Sequence, residues 1–396
     1  MKIAVIGAGA IGSAIASDLC TRADVAQIKI CDSHARLLQE LHDRIDSPKL
    51  RSYQSDARDP RILSSILMGC DVAIGCVPPR LNPQLARLCL DLGVHFCDLG
   101  GDDDTTRAIL ALNAEAQSKS VWVVPNCGLA PGLVNILSRT GIAYFDSVKA
   151  VHIRVGDVPM HPEPPFNFRL SWSAEKILDD YTLPVQVIEN GEVKTVAPLT
   201  HDEQIHFPEP FQTMEAFSTT GGYASLVDDF SGRIVTLDHK TIRWPGHANQ
   251  MRFILGLGFA EPQKIDARTH LTYRDVLVRR LRSRLGGAYK DAVLMRVMIC
   301  GFKDGRDQTL IYEMVDHFDD ASGLSAIQRC TSIPTATIAC LLAGRKMPGG
   351  GAAPAELVVP AHTFLQALAE RGLEISTRWL EGHADVAMKE SLPITH

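Results

Sequence analysis

Three glycines near the head of the chain have the spacing of a phosphate cradle. Gly7-Ala8-Gly9-Ala10-Ile11-Gly12 follows the apolar run Lys2 to Ile6 and opens a helical stretch. The first glycine permits a tight turn, the second lets backbone approach a pyrophosphate, and the third lets the helix pack close to its strand. The helix N-terminus then offers unpaired N–H groups to the phosphates. Twenty residues past Gly12 stands Asp32, at the end of a second apolar run. A carboxylate there accepts hydrogen bonds from ribose hydroxyls and repels a 2′-phosphate. Gly7, Gly9, Ala10, Ile11, Gly12 and Asp32 therefore point to a dinucleotide site, and to NAD over NADP. The alternative, a glycine-rich turn that binds nothing, requires three features to coincide at the right spacing.

Other polar positions fall at the ends of apolar runs. Ligands of doubly wound sheets sit beyond the carboxyl ends of the strands. This places Asp56 and Ala57 beside an adenine, and Cys76, Val77 and Pro78 beside a nicotinamide ribose, with ordinary loop roles as the other reading. Asp98-Leu99-Gly100-Gly101 follows Val94 to Cys97, and Asn126-Cys127-Gly128-Leu129-Ala130-Pro131-Gly132 follows Val121 to Pro125. Glycines on both sides leave backbone N–H groups accessible, so Asn126, Gly128 and Leu129 make a seat for a nicotinamide amide or a substrate carboxylate. Two tight turns are the plainer reading.

The elements that must position these residues alternate between strand and helix over residues 2 to 125. Strands are expected at Lys2 to Ile6, Gln27 to Cys31, Asp71 to Val77, Val94 to Asp98 and Val121 to Val124. Helices are expected at Ala10 to Cys20, Asn82 to Leu92 and about Thr105 to Lys119. Such alternation builds a doubly wound parallel sheet, a Rossmann α/β fold. After Pro131 the period shifts to two, as in half-buried antiparallel strands: Val148 to Val155, Val185 to Thr195 and Arg233 to Arg243. Asn190-Gly191 and Asp304-Gly305 mark hairpins, the latter between Val293 to Phe302 and Gln308 to Val315. Helices return at Ser325 to Leu342 and Ala361 to Arg371, around a glycine- and proline-rich loop from Lys346 to Pro354.

Bulk composition narrows the class. The 396 residues are 45% hydrophobic and 22% charged, with a net charge of -6, so neither nucleic acid nor an anionic membrane is an expected partner. Arg279, Arg280, Arg282 and Arg284 read as a solvated helix face. None of the ten cysteines forms a Cys-x-x-Cys pair or a zinc-like cluster with histidine. No metal is therefore expected, and the free thiols suit a reducing, cytoplasmic setting.

Pro125 to Gly132 resembles a motif of the saccharopine dehydrogenase-like superfamily, in particular its lysine 6-dehydrogenase branch. The likeness continues through Leu170 to Ser173, Asp180 to Pro184, Glu215 to Gly222, Lys240 to His247, Thr335 to Ala343 and Pro360 to Leu368. The resemblance implies a Rossmann domain of residues 1–130 completed by 325–396, with a mixed α/β, strand-rich substrate and dimerisation domain over 131–324. It implies NAD-dependent oxidative deamination of the ε-amino group of L-lysine to allysine, which cyclises to Δ1-piperideine-6-carboxylate. It also implies a homodimer or higher homo-oligomer. Relatives of the saccharopine reductase or carboxynorspermidine type act on other amines, and a non-catalytic NAD-binding regulator stands as a third reading.

The chemistry needs a neutral amine. A free ε-amine has a pKa of about 10.4, so a base or a desolvating pocket is required. Asp98, Glu215 and His247 are the titratable groups of the matching motifs, with His247 suited to act as a base near neutrality. His247 could instead pack or cap a helix. Glu215 could hold the α-ammonium or pair with a cation. For the carboxylate, Arg243 is the first choice and Arg169 the second, either being alternatively an exposed strand arginine. Thr219, Gly221 and Gly222 would add hydroxyl and backbone donors. Cys127 is assigned to packing.

Overall fold

A computed structural model describes residues 1–386. The chain begins with β1 (Lys2–Ile6), α1 (Ala10–Thr21), β2 (Gln27–Asp32), α2 (Ala35–Arg44), β3 (Leu50–Gln54), α3 (Pro60–Leu67), β4 (Val72–Gly75) and α4 (Asn82–Leu92). It continues with β5 (His95–Asp98), α5 (Asp103–Leu110), α6 (Asn113–Ser118), β6 (Trp122–Val124) and α7 (Leu133–Ile142). Next come β7 (Ser147–Pro159), α8 (Ala174–Asp180), β8 (Val185–Glu189), β9 (Glu192–Val196), β10 (Glu203–Phe207), β11 (Gln212–Ser218), α9 (Ala224–Phe230) and β12 (Thr236–Arg243). They are followed by α10 (His247–Gly256), α11 (Tyr273–Leu285), β13 (Asp291–Lys303) and β14 (Arg306–His317). The tail holds α12 (Ala326–Ala343), β15 (Gly351–Ala352), α13 (Ala355–Val358), α14 (Ala361–Ala369) and β16 (Ser376–Glu381). These elements form two compact units: Met1–Thr140 with Gln328–Leu373, and Gly141–Ile327 with the chain from Glu374.

The first unit is a seven-stranded parallel sheet in the order β15-β6-β5-β4-β1-β2-β3. Ile3, Ala4, Val5 and Ile6 are all buried, as a parallel strand covered on both faces requires. Strand order reverses between β1 and β4. The loops after these two strands part there and open the crevice where such sheets bind ligands. Local signals set several boundaries. Asp59 caps α3, whose first residue is Pro60, and Gly93 ends α4 in the left-handed conformation.

The second unit is a mixed sheet ordered β10-β11-β12-β7-β13-β14-β16, with β8 also paired to β12 and β9 to β8. Asn190-Gly191 joins β8 to β9, and Asp304-Gly305 joins β13 to β14. β12 and β7 run parallel, although their sequences read as antiparallel strands. Alternation reports which face a side chain takes and carries nothing about direction. Phe168, Ile177, Leu178, Tyr181, Phe217, Ala248 and Met251 belong to one core of this unit. Arg279, Arg280, Arg282 and Arg284 are exposed on α11.

Three other expectations are corrected. The helix expected over Thr105 to Lys119 is two helices, because the chain turns at Ala111 and Leu112. The Asn113 Oδ1 then accepts the Ala352 N–H at 3.0 Å. The loop from Lys346 to Pro354 contributes β15, too short to show any period. Residues 325–396 do not all join the dinucleotide unit: beyond Leu373 the tail adds β16 to β14 of the second sheet, and the cut near residue 130 falls instead at Thr140. The last ten residues of that expected span lie outside the described residues.

Candidate functional site

The glycine cradle has the tolerances of a phosphate loop. Gly7 sits at φ +109°, and a Cβ there would lie 2.3 Å from the Cys76 carbonyl oxygen. A Cβ on Gly12 would lie 2.0 Å from the Gly7 carbonyl oxygen. Gly9 differs, since nothing stands within 4 Å of its Cβ position. It is the N-cap of α1, and no side chain caps that helix, which leaves the first N–H groups of α1 for a ligand. The residues therefore fit a bound pyrophosphate: two glycines for fold geometry, and one that leaves room.

Asp32 is anchored at the edge of this cradle. Its Oδ2 accepts the Ala8 N–H at 2.8 Å and its Oδ1 the His34 N–H at 2.8 Å. The carboxylate is thus fixed in place, with lone pairs to spare for a diol. Asp56 is exposed and forked by Arg58, whose guanidinium lowers its pKa to about 2. Asp56, Arg58, Asp59, Pro60 and Arg61 line an open hollow. Ala57 and Val77 pack against the unit's core. The Cys76 N–H bonds to the Ile6 carbonyl at 2.8 Å, and burial pushes its thiol pKa up. Pro78 precedes a single 3-10 turn, Pro79–Leu81.

Asp98 does not have the surroundings of an accessible proton acceptor. It is 1% exposed. Its Oδ1 accepts the Gly100 and Asn126 N–H groups, each at 2.9 Å, and the Asn82 side chain bonds to it as well. Burial raises its pKa to about 6 against these bonds. The side chain therefore ties two turns together. Asn126 sits at φ +63° and Gly100 at φ +105°. A Cβ on Gly128 would meet the Leu99 carbonyl oxygen at 3.1 Å. Cys127 and Leu129 are buried, and Thr335 of α12 braces the loop by donating to the Cys127 carbonyl at 2.9 Å. Asn82 and Thr335 carry no sequence signal for this work, since their partners are 16 and 208 residues away in sequence.

In the second unit Arg243 is a hub. It is 3% exposed. Its Nε donates to the Tyr181 Oη at 3.2 Å, its Nη1 donates to Asp157 Oδ1 at 3.1 Å, and its guanidinium lies 5.1 Å from the Phe168 ring centroid. Ser171 donates to the other oxygen of Asp157. Nη2 makes no hydrogen bond among the described residues.

His247 and Glu215 depart from their expected roles. His247 is buried among Phe168, Tyr181 and Phe217, with Nε2 3.0 Å from Tyr181 Oη. Burial, with Arg243 nearby, lowers its pKa to about 3, so it stays neutral at physiological pH. Glu215 caps α10 with both oxygens, accepting the Gly246 N–H at 2.8 Å and the Ala248 N–H at 2.7 Å. Arg169 is taken by a partly exposed pair with Glu163. Thr219 Oγ1 bonds Thr241 Oγ1 at 2.7 Å, and its carbonyl bonds His239 Nδ1 at 3.3 Å. A Cβ on Gly221 would strike Tyr223 at 2.6 Å, and Gly222 takes φ +69°. Tyr181 lies in a recognised motif, yet nothing in the sequence shows that it bridges Arg243 and His247.

A parallel sheet ordered 3-2-1-4-5-6, with a glycine cradle and an anchored acidic residue after its second strand, defines an NAD(P)-binding oxidoreductase. Residues 3–124 match the saccharopine dehydrogenase NADP binding domain, and residues 128–373 match the saccharopine dehydrogenase C-terminal domain. The chain belongs to the saccharopine dehydrogenase family, an oxidoreductase family with amine-type substrates. It is 22% identical over 395 residues to carboxyaminopropylagmatine dehydrogenase of Synechocystis, covering 94% of this chain and 96% of that one. It is 23% identical over 204 residues to the rat mitochondrial alpha-aminoadipic semialdehyde synthase, but spans only 21% of that longer protein. Among solved structures it resembles saccharopine dehydrogenase (L-Glu forming) of Saccharomyces cerevisiae, with a TM-score of 0.79 at 15% identity, covering 96% of this chain and 99% of that one. Homospermidine synthase of Legionella pneumophila, solved with NAD, aligns at TM-score 0.67 and 12% identity over 96% and 91%. No helix of the described residues is long and apolar enough to cross a membrane.

Proposed function

We propose that this protein oxidatively deaminates the ε-amino group of L-lysine with NAD. Water hydrolyses the resulting imine to allysine with release of ammonia, and allysine then cyclises to Δ1-piperideine-6-carboxylate with loss of water. The observation that carries an amino-acid substrate is Arg243. Its guanidinium is fixed at Nε and Nη1 and leaves Nη2 uncommitted, as a grip on a substrate carboxylate requires. NAD is favoured by Asp32, held by two backbone N–H groups with its charge at the edge of the cradle.

When bound, NAD supplies the hydride acceptor. The chain's own residues do the rest. Gly9, Ala10 and Ile11 bind the pyrophosphate, Asp32 takes the ribose diol, and the turns tied by Asp98 hold Asn126 and Gly128 in place. Tyr181 and Asp157 orient Arg243. Neither His247 nor Glu215 is assigned the amine's proton: His247 is enclosed by aromatic rings with its basicity lowered by burial, and both carboxylate oxygens of Glu215 hold backbone N–H groups at the start of α10. Desolvation on binding then makes the amine neutral.

A second reading, oxidation of a larger substituted amine, is favoured by the end-to-end likeness to carboxyaminopropylagmatine dehydrogenase. A screen for NADH formation against L-lysine, L-ornithine, saccharopine and carboxyaminopropylagmatine separates the two. Turnover of L-lysine alone supports the first reading, turnover of a substituted amine alone replaces it, and turnover of none refutes both. We further propose a cytoplasmic homodimer or higher homo-oligomer assembled through the second unit, to be checked by light scattering on the purified protein.

A further inference from the structure

The second sheet ends on an open edge. β16 is the last strand of its order and pairs only with β14 among the described residues. The Gly382 N–H donates to the Asp307 carbonyl at 2.8 Å, one step in register beyond the pair Gln308 and Glu381. Residues of an antiparallel pair alternate between bonding their neighbour and facing away from it. Ser376, Arg378 and Leu380 therefore bond to β14, and Thr377, Trp379 and Glu381 aim their N–H and C=O groups outward. The chain that follows leaves this edge. Gly382, at φ +78°, turns it onto the face of the sheet. There Thr309 Oγ1 donates to the Gly382 carbonyl at 2.8 Å and accepts the Ala384 N–H at 3.0 Å. The Val386 carbonyl then accepts from Arg296 on β13, two strands in from β16.

Proteins usually blunt such an edge with charge, proline or a bulge. β9, another outer strand, carries Lys194 paired with Glu189. β16 has no proline, and its pairing to β14 runs without a register shift. At the centre of its open edge stands a tryptophan. Trp379 packs on Phe145 and Tyr144, with ring centroids 5.4 and 6.2 Å away, yet remains 40% exposed, and Tyr144 is 52% exposed. Of the two charges on the strand, Arg378 belongs to the alternate set that faces the other side of the sheet, and Glu381 pairs with Arg306 at 3.6 Å.

This edge is complementary to itself. A two-fold axis through Trp379 sets that residue opposite its own copy, and Thr377 opposite Glu381 of the second copy. All of these residues face outward, so each bonds through both its N–H and its C=O. The Thr377 hydroxyl can donate to the facing carboxylate, and two indole rings meet across the axis. A slip of one residue would set outward groups against groups already bonded to β14. We infer that β16 pairs antiparallel with β16 of a second copy of this chain, so that the second sheet runs on from one molecule into the next. The inference rests on the proposed homo-oligomer and names the surface that builds it.

Sedimentation equilibrium on the whole chain tests it, with circular dichroism to confirm folding. Trp379→Arg puts two like charges opposite each other, and Thr377→Pro removes an outward N–H that β14 does not use. Each should raise the dissociation constant of the assembly at least about thirtyfold, with the wild-type mass halving on dilution. Trp379→Cys reads the register. Its sulfurs face each other across Cα atoms about 5.5 Å apart, within reach of a disulfide, so diamide should link two chains. Thr377→Cys, about 13 Å from its own copy along the strands, should not link, and neither should wild type. A monomeric wild type overturns both this surface and the proposed assembly. An assembled wild type whose mass survives in either folded variant, or a Trp379→Cys that fails to link, overturns the surface and leaves the assembly standing.

Discussion

Replacing Asp32 by Asn isolates charge from shape in cofactor choice. The amide keeps an oxygen able to accept one of the two N–H groups now held at 2.8 Å, from Ala8 and His34, so the cradle stays folded. Two effects on specificity follow. A charge-assisted bond to the ribose diol becomes a neutral one, which costs about 1–1.5 kcal/mol of NAD binding. Repulsion of a 2′-phosphate is relieved as well. For a carboxylate 87% shielded from solvent, that relief is worth about 1–2 kcal/mol at physiological salt. Together they shift the NAD-to-NADP ratio of kcat/KM by roughly 30- to 400-fold toward NADP. The assay is initial-rate kinetics with each cofactor at saturating amine, with circular dichroism to confirm folding. A ratio unchanged within about threefold in a folded variant would refute the assignment of Asp32 as the selecting charge.

Four other substitutions probe the remaining assignments. His247→Gln removes a histidine whose folded pKa, about 3, lies below its usual 6.5. The unfolded chain binds a proton that the folded one refuses, so wild type loses about 1.4 kcal/mol per pH unit from this group as pH falls from 6.5 toward 3. The variant lacks that loss, and urea titrations at pH 6.5 and 5 should show a difference of about 2 kcal/mol in the pH dependence of stability. Asp98, raised to about 6, has the opposite sign, and its effect cancels in the comparison. Glu215→Gln should cost about 1–2 kcal/mol through the weakened cap of α10 and leave the pH profile of kcat unmoved. A shifted profile would restore Glu215 as an acid or base. Gly9→Ala should fold with wild-type Tm yet bind dinucleotide at least about tenfold more weakly, measured by NADH fluorescence. Gly12→Ala should lose stability by about 1–3 kcal/mol, because its Cβ meets backbone.

What the sequence revealed follows from which signals are local. Gly7, Gly9, Gly12 and Asp32 lie within 26 residues of one another, and each answers to a backbone need visible in that stretch. The hairpins at Asn190-Gly191 and Asp304-Gly305 were legible for the same reason. Roles made by distant partners were not. Glu215 looks like a free carboxylate until β11 and α10 meet across 31 residues, and His247 looks like a base until Phe168, Tyr181 and Phe217 enclose it. Burial, which decides whether a titratable group works or braces, is set by packing that no motif spells out. The misassigned tail has a similar cause: Ser376–Glu381 has a strand's alternation, but the choice between two sheets depends on which open edge it reaches.

The central claim is NAD-dependent oxidation at the ε-carbon of L-lysine by this fold. Purified protein incubated with L-lysine and NAD tests it most directly, with NADH and free ammonia measured together. Equal yields of both are expected, with Δ1-piperideine-6-carboxylate as the carbon product. NADH without ammonia, or no NADH from lysine while another amine is turned over, would contradict it.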